Sequence, residues 1–381
     1  MSVLYLDNAA TTPVRAEVLE AMMPYLTGVY GNPSSHHTLG ERAAQALADA
    51  RARIATVLGM RQGDIVFTSG GTEANNLAVK GIAIAAQIGR DAGHVVTTPI
   101  EHESILESVD YLARVHGFDA SRVRVDATGV VDPDAVAAAL REDTALVSVG
   151  YANNEVGTIQ DVAAIARVAH DHGAPLHVDA VQAAGWLPLA GLGADAISIA
   201  GHKIGAPKGT GALGVRGRIP VEPLLHGGGQ ERGRRSGTEH VAGAVALATA
   251  LELAEAERDE ASVRVARLRD AFIARVLDLV PSAALTGHPV ERLPGTASFT
   301  FAGTSGEAVL LELERRGIVS SSGSACAAGS DEASHVLVAM GVDPTIAQTA
   351  VRFTLAHGAK TPLDAVADAV AASVAAVQST G

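Results

Sequence analysis

One cysteine in 381 residues, Cys326, is the scarcest feature of this chain. It excludes an intrachain disulfide and any Cys-x-x-Cys metal site, and its natural setting is a reducing cytoplasm. Aromatic residues are only 3%, so the core must be built mainly from Ala, Val, Leu and Ile, which raise the apolar fraction to 48%. No run approaches ~18 uninterrupted apolar residues, so no membrane span is expected. The first residues, Met1-Ser2-Val3-Leu4-Tyr5-Leu6-Asp7, lack the basic start and long apolar stretch of a signal peptide. Positive charge is also short: the net charge is −13. That argues against nucleic acid or an anionic membrane as the main partner, because phosphate contacts need clustered Lys and Arg. The Arg232-Gly233-Arg234-Arg235 cluster is brief and local. What remains is a cytoplasmic α/β enzyme long enough for one large and one smaller domain.

The pattern supports this. Strand-like runs Ile65–Thr68, His94–Thr98, Val123–Val125, Ala145–Val149, Leu176–Asp179 and Ala196–Ile199 alternate with helix-like segments. The helical segments are Glu73–Ala86, Glu103–His116, Pro133–Leu140 and Val162–Asp171. Asp132 is placed to cap the third, with Pro133 at its first position. This βαβ rhythm implies a mostly parallel central sheet covered by helices. From Thr238 to Leu279 the pattern is continuously helical, long enough to bridge two domains. The pattern then restarts with strands Ala297–Phe301 and Val351–Leu355, a helix from Glu307 to Arg316, and an Ala-rich helix Leu363–Val377. We expect a large domain over 16–255, and a smaller α+β domain made of 1–15 plus 256–381 that carries Cys326.

Lys203 carries the most chemistry. The strand-like Asp195–Ala200 delivers it, through Gly201-His202, into a turn before the glycine-rich Pro207-Lys208-Gly209-Thr210-Gly211. A lysine held there is well placed to form a Schiff base with the aldehyde of pyridoxal phosphate (PLP). Asp179 ends an apolar strand, where ligands of parallel sheets collect. It either caps the next turn or bonds the protonated pyridine nitrogen, and Lys203 two dozen residues later favours the second. Thr68-Ser69-Gly70-Gly71-Thr72-Glu73 joins strand to helix with small residues, as a phosphate cradle or a simply capped turn does. His102 opens the next helix and is either an ordinary histidine or a ring stacked on a planar cofactor. A lone cysteine is usually a small buried residue, yet Cys326 lies in Ser320-Ser321-Ser322-Gly323-Ser324-Ala325-Cys326-Ala327-Ala328-Gly329, which reads as a mobile loop presenting a nucleophilic thiol.

Other motifs fail. Gly209–Gly214 matches G-x-G-x-x-G, but no helix pattern follows it, so it is no dinucleotide fingerprint. His226-Gly227-Gly228-Gly229 has no G-x-S-x-G partner. There is no H-E-x-x-H and no P-loop, and no metal site is expected.

Taken in order, Tyr5-Leu6-Asp7-Asn8-Ala9-Ala10-Thr11-Thr12-Pro13, Gly31-Asn32-Pro33-Ser34-Ser35, Phe67–Glu73, Glu101-His102, Asn153-Asn154-Glu155-Val156-Gly157, His177-Val178-Asp179-Ala180, Gly201-His202-Lys203, His226–Arg232, Arg235-Ser236-Gly237-Thr238, Ser322–Cys326 and Val351-Arg352-Phe353 closely resemble the cysteine desulfurases. These belong to the class V PLP-dependent aminotransferase group. The resemblance spans nearly the whole length and implies the aminotransferase-like PLP fold type I. It implies Lys203 as Schiff-base lysine and Cα proton acceptor, Asp179 on the pyridine nitrogen, Gln182 on the ring hydroxyl and His102 stacked on the ring. It further implies Gly71, Thr72 and His202 at the phosphate, with Thr238 reaching in from the second subunit of a homodimer. Asn154 would line the pocket, and Arg352 and Asn32 would bind the substrate carboxylate, a task suited to a guanidinium fork. Cys326 would take sulfur from L-cysteine as a persulfide, leaving L-alanine. The Cys326–His335 segment has the length of the long-loop subgroup, whose members hand sulfur to separate acceptors such as iron–sulfur scaffolds or tRNA-thiolation enzymes. The family often has Ser where this chain has Ala200, which removes one phosphate hydrogen bond. A selenocysteine lyase, or another PLP-dependent C–S lyase, is the competing enzyme reading.

Overall fold

The computed structural model describes residues 3–322 and 333–380. Seven strands form the main sheet, in the order Ile65–Thr68, Gly211–Val215, Ala196–Ala200, Leu176–Asp179, Thr144–Gly150, His94–Thr97, Asp119–Arg122. The last five pair in parallel, while Gly211–Val215 runs antiparallel to both of its neighbours. The central strands are buried on both faces, which is why they read as continuous apolar runs. Helices cover the two faces. Ala43, Leu47, Ile54 and Leu58 of the helix Thr38–Leu58 pack in one cluster with Val178 and Ile199, whereas Leu77, Ile82, Ile105 and Leu112 pack in another with Val95 and Leu146. The expected βαβ architecture is therefore present. Asp132 caps its helix as expected, accepting from the Asp134 N–H, with Pro133 at the first position.

One local expectation is corrected, and one strand had no expectation to match it. The strand read at Val123–Val125 lies at Asp119–Arg122, paired with His94–Thr97 at the sheet edge. Three of its four residues are exposed, so burial never imposed an apolar pattern there. The glycine-rich stretch after Lys203 contains a fully buried strand, Gly211–Val215. Its glycines answer to packing: a Cβ on Gly211 would lie 2.6 Å from the Gly70 backbone.

A second sheet is antiparallel, ordered Ser321–Ser322, Ala350–Thr354, Thr296–Phe301, Ala283–Leu285. The long helix Val241–Leu279 starts in the core of the main sheet, at Val241 to Ala254, and ends in the core of the second, at Val265 to Val276. Four of the six phenylalanines, Phe272, Phe299, Phe301 and Phe353, are concentrated in that second core. Phe272 meets Phe353 edge-on at 5.2 Å, one contact of this compact aromatic cluster. No described helix is long and apolar enough to cross a membrane.

Candidate active site

The carboxyl ends of the parallel strands open on one cavity of about 570 Å³. Gly150 leads to Asn154, Asp179 to Gln182, Ala200 to Lys203, and Thr97 to His102. Parallel alignment makes this convergence compulsory, because all four strands point the same way. Lys203, Asp179, His102, Gly71, Thr72, Asn154, Gln182, His202 and Arg352 all line it. Asn32 and Thr238 do not line it and are exposed. Cys326 lies outside the described residues.

Lys203 ends a 3-10 turn that follows the strand Ala196–Ala200. Its Nζ donates to the Ala9 carbonyl at 2.5 Å and the Ala10 carbonyl at 2.9 Å. Gln182 Nε2 donates to the same Ala9 carbonyl at 3.0 Å. The N-terminal segment thus forms one wall. It is anchored to the small sheet, where Asn8 Nδ2 donates to Thr354 O at 2.7 Å and Thr354 Oγ1 receives the Ala9 N–H.

Asp179 is 9% exposed at its strand end. Its Oδ1 accepts from the Val181 N–H at 2.9 Å and its Oδ2 from Asn75 Nδ2 at 2.7 Å. His102 caps the helix Glu103–Tyr111, its Nδ1 accepting from the Ser104 N–H at 3.0 Å. Burial pushes the His102 pKa down, with the nearby Asp179 carboxylate pulling the other way and Lys203 reinforcing the fall. His202 faces Thr11 Oγ1 at 3.2 Å, and burial, aided by Lys203 and Lys208, lowers its pKa to about 4. Both imidazoles are therefore neutral near pH 7.

At the other end of the cavity, Gly70 and Gly71 begin a helical run to Arg90 that includes one π turn. A side chain on Gly71 would strike Val181 at 2.7 Å, so only glycine leaves the backbone N–H groups open to an anion. Glu73 braces the turn, accepting from the Ser69 N–H at 2.7 Å and pairing with Arg235 at 2.8 Å. Arg352 is 1% exposed in the strand Ala350–Thr354. It donates to Asn154 O and to Asp7 Oδ1, each at 2.8 Å, while its buried Nε has no partner.

PLP fits these residues. Its aldehyde needs an amine, which Lys203 could supply, its pyridine nitrogen needs a carboxylate, which Asp179 could supply, and its phosphate needs an uncrowded helix start, which Gly71 could supply. Arg352 lines the cavity, and its guanidinium could meet a substrate carboxylate. Four residues were not singled out for roles from the sequence: Asn75, Ser104, Glu101 and Asp7. Asn75 and Ser104 are weak helix formers that lie within helices, which is the one local signal they carried, and both are buried. Glu101 is a buried acid that accepts from Thr98 Oγ1 at 2.7 Å.

Residues 4–361 match the aminotransferase class-V family. The chain is 44% identical over 354 residues to the cysteine desulfurase IscS of Dictyoglomus turgidum, covering 92% of this chain and 89% of that one. It is 45% identical over 382 residues to the IscS-like cysteine desulfurase of Mycobacterium tuberculosis, covering 97% and 96%. Among solved structures, a NifS-like protein superposes with TM-score 0.88 at 37% identity, covering 99% of each chain. SspA in complex with cysteine superposes with TM-score 0.81 at 35% identity, covering 92% of this chain and 98% of that one.

Proposed function

The chain belongs to the class-V aminotransferases and, within them, to the cysteine desulfurases, and from that premise we propose which of its residues carry the reaction. It is a PLP-dependent cysteine desulfurase with the type I PLP-enzyme fold, removing sulfur from L-cysteine and leaving L-alanine. The observation that carries the residue assignment is the cavity at the strand ends, which gathers an amine, a carboxylate, an imidazole and a guanidinium on one set of walls.

PLP, when bound, supplies an electron sink next to the substrate Cα. Lys203 would hold the cofactor aldehyde through its amine, and that same amine would be the base available to the substrate Cα proton. Asp179, its carboxylate oriented by Asn75 and Val181, keeps the ring nitrogen charged. His102 would present its ring face to the cofactor ring, and Gln182 would bond the ring hydroxyl. Gly71, Thr72 and His202 would hold the phosphate, Asn154 would close the wall, and Arg352 would orient the substrate carboxylate, a task for which Asn32, exposed and outside the cavity, is not placed within this chain. Cys326 takes the sulfur as a persulfide. The chain on either side of its segment is fixed beside the cavity, since Ser321 pairs with Arg352, Ser334 donates to Glu155 at 2.5 Å, and His335 Nε2 faces the Glu101 carbonyl at 3.0 Å.

A homodimer accounts for Thr238, which is exposed rather than in its own cavity. An exposed apolar stripe of Leu19, Met23, Leu26 and Tyr30 gives a second copy something to cover. The domain division at 16–255 and at 1–15 plus 256–381 is supported by the separate cores around Val178 and Phe299. In the cytoplasm the thiol stays reduced, and the persulfide passes to a separate acceptor protein serving iron–sulfur assembly or tRNA thiolation. Borohydride reduction followed by peptide mass analysis should find PLP on Lys203. Cys326→Ala should retain that adduct but release no sulfur to an acceptor. Sustained persulfide transfer by Cys326→Ala, or an unmodified Lys203, refutes the assignment.

A further inference from the structure

A continuous hydrogen-bonded path joins Asp179 and His102 along the cavity wall, which Asn75 and Ser104 also line. Asn75, 2% exposed, uses both protons of its amide nitrogen: one donates to Asp179 Oδ2 at 2.7 Å and the other to Ser104 Oγ at 2.9 Å. Ser104 Oγ in turn lies 2.8 Å from His102 Nδ1, which also receives the Ser104 backbone N–H at 3.0 Å.

The chemistry of each group fixes the direction of the path. An ionised carboxylate only accepts, so the amide nitrogen of Asn75 must face Asp179. Turned over, the amide would set its carbonyl against that carboxylate. Asn75 Oδ1 is instead left buried without a partner, which shows how strongly the donors determine its orientation. Ser104 Oγ accepts from Asn75, so its own proton is available to His102 Nδ1. With a backbone N–H already aimed at Nδ1, that nitrogen has no place for a proton. The ring proton is therefore on Nε2.

We propose that Asn75 and Ser104 are positioning residues for the desulfurase reaction, forming a bridge that holds Asp179 as a fixed acceptor and His102 as its Nε2–H tautomer. The proposal rests on the reading of Asp179 and His102 as the residues that meet the cofactor ring. The charged and titratable groups facing His102 are Asp179, Lys203, Glu103 and His335, and none of them is part of the bridge except Asp179.

The test is nitrogen-15 NMR of the histidine rings in the holoenzyme, with the His102 signals identified by their loss in His102→Gln. Wild type should show an unprotonated Nδ1 and a protonated Nε2 between about pH 7 and 8. Ser104→Ala removes a donor to the neutral ring, so the His102 titration should move to higher pH. Ser104→Thr keeps the hydroxyl and should restore the wild-type signals. Asn75→Ala removes a hydrogen bond to a charged group, and kcat for L-cysteine should fall about tenfold with KM within about twofold. Superposable His102 signals in wild type and Ser104→Ala overturn the proposal, as does a Ser104→Thr protein indistinguishable from Ser104→Ala. The Ser104 pair decides the matter even if Asn75→Ala does not fold. Absence of a PLP adduct on Lys203 in wild type would instead sink the reading on which the proposal rests, whatever the ring signals show.

Discussion

Ala200 offers a gain-of-function test. It is the last residue of the strand leading to Lys203, is 1% exposed, and lines the cavity. Its Cβ lies 3.4 Å from the position a Cβ on Gly71 would occupy, so the Ala200 methyl faces the turn assigned to the phosphate. Ala200→Ser places a hydroxyl on that methyl. A hydrogen bond to a charged group is worth about 1.5–3 kcal/mol. Fixing the rotamer and desolvating the hydroxyl consume part of this, leaving about 1–1.5 kcal/mol, or roughly five- to tenfold in affinity. The protein freed of PLP can be titrated with the cofactor while following emission of the single tryptophan, Trp186, which lies in an adjoining cavity that Lys203 and Gln182 share. The dissociation constant should fall by that factor. The turnover number should stay within about twofold, since the phosphate is remote from the reacting carbon, and the melting temperature without PLP should not rise. Unchanged or weaker PLP binding by a normally folded Ala200→Ser protein would show that the Gly71 turn is not the phosphate cradle.

Arg352→Lys keeps the charge but loses the fork that spans Asn154 O and Asp7 Oδ1. The KM for L-cysteine should rise about 10–100-fold with a smaller change in kcat, and an unchanged KM in steady-state assays would remove Arg352 from substrate binding. Arg51 and Glu231 form a buried two-point pair at 2.5 and 2.8 Å, and Glu231 also accepts the Phe67 N–H at 3.1 Å. This pair anchors a turn in which Glu231 and Arg232 both have left-handed backbones, so Arg51→Ala should cost about 3–5 kcal/mol in urea unfolding, and a loss below about 1 kcal/mol would contradict it. Stability should also follow pH in two directions. Burial lowers His177 to about 3 and His202 to about 4, so the unfolded chain binds more protons below about pH 6.5, and stability rises with pH up to that point. Burial raises Glu101 to about 8, so its contribution is complete below about pH 4.5 and is lost as pH climbs through 8. Glu101→Gln should remove a decline of up to about 1.4 kcal/mol per pH unit between about pH 6.5 and 8, and a decline of the same slope in the variant would exclude Glu101 as its source.

The parts of the fold legible in the sequence were those where burial enforces one residue type. Leu176–Asp179 and Ala196–Ala200 are covered on both faces, so apolar and small residues dominate, interrupted only by His177 and Asp179, and the strands are plain. Val162–Asp171 is amphipathic, and its ends fall where the pattern places them. At Asp119–Arg122 the neighbour on one side is solvent, and that signal disappears. Gly211–Val215 failed for the opposite reason: it is packed so tightly against Gly70 that glycine displaced the β-branched residues by which strands are recognised.

Site residues divide along the same physical line. Lys203, Asp179 and His102 were legible because their chemistry is concentrated in one side chain at a strand end or helix start. Asn75 meets its partners Asp179 and Ser104 across 104 and 29 residues of sequence. Nothing at position 75 indicates that residue 179 will be opposite, because that meeting is created by sheet order: the strand carrying Asp179 lies three places from the strand that leads into the helix of Asn75. A buried asparagine costs free energy unless its donors are used, so its presence in an otherwise apolar helix face records a demand made by the carboxylate. Polar residues retained where the local pattern calls for leucine are therefore the positions at which this chain shows its tertiary contacts before they are seen. Asn75 is the case in which that inference leads directly to the cofactor site.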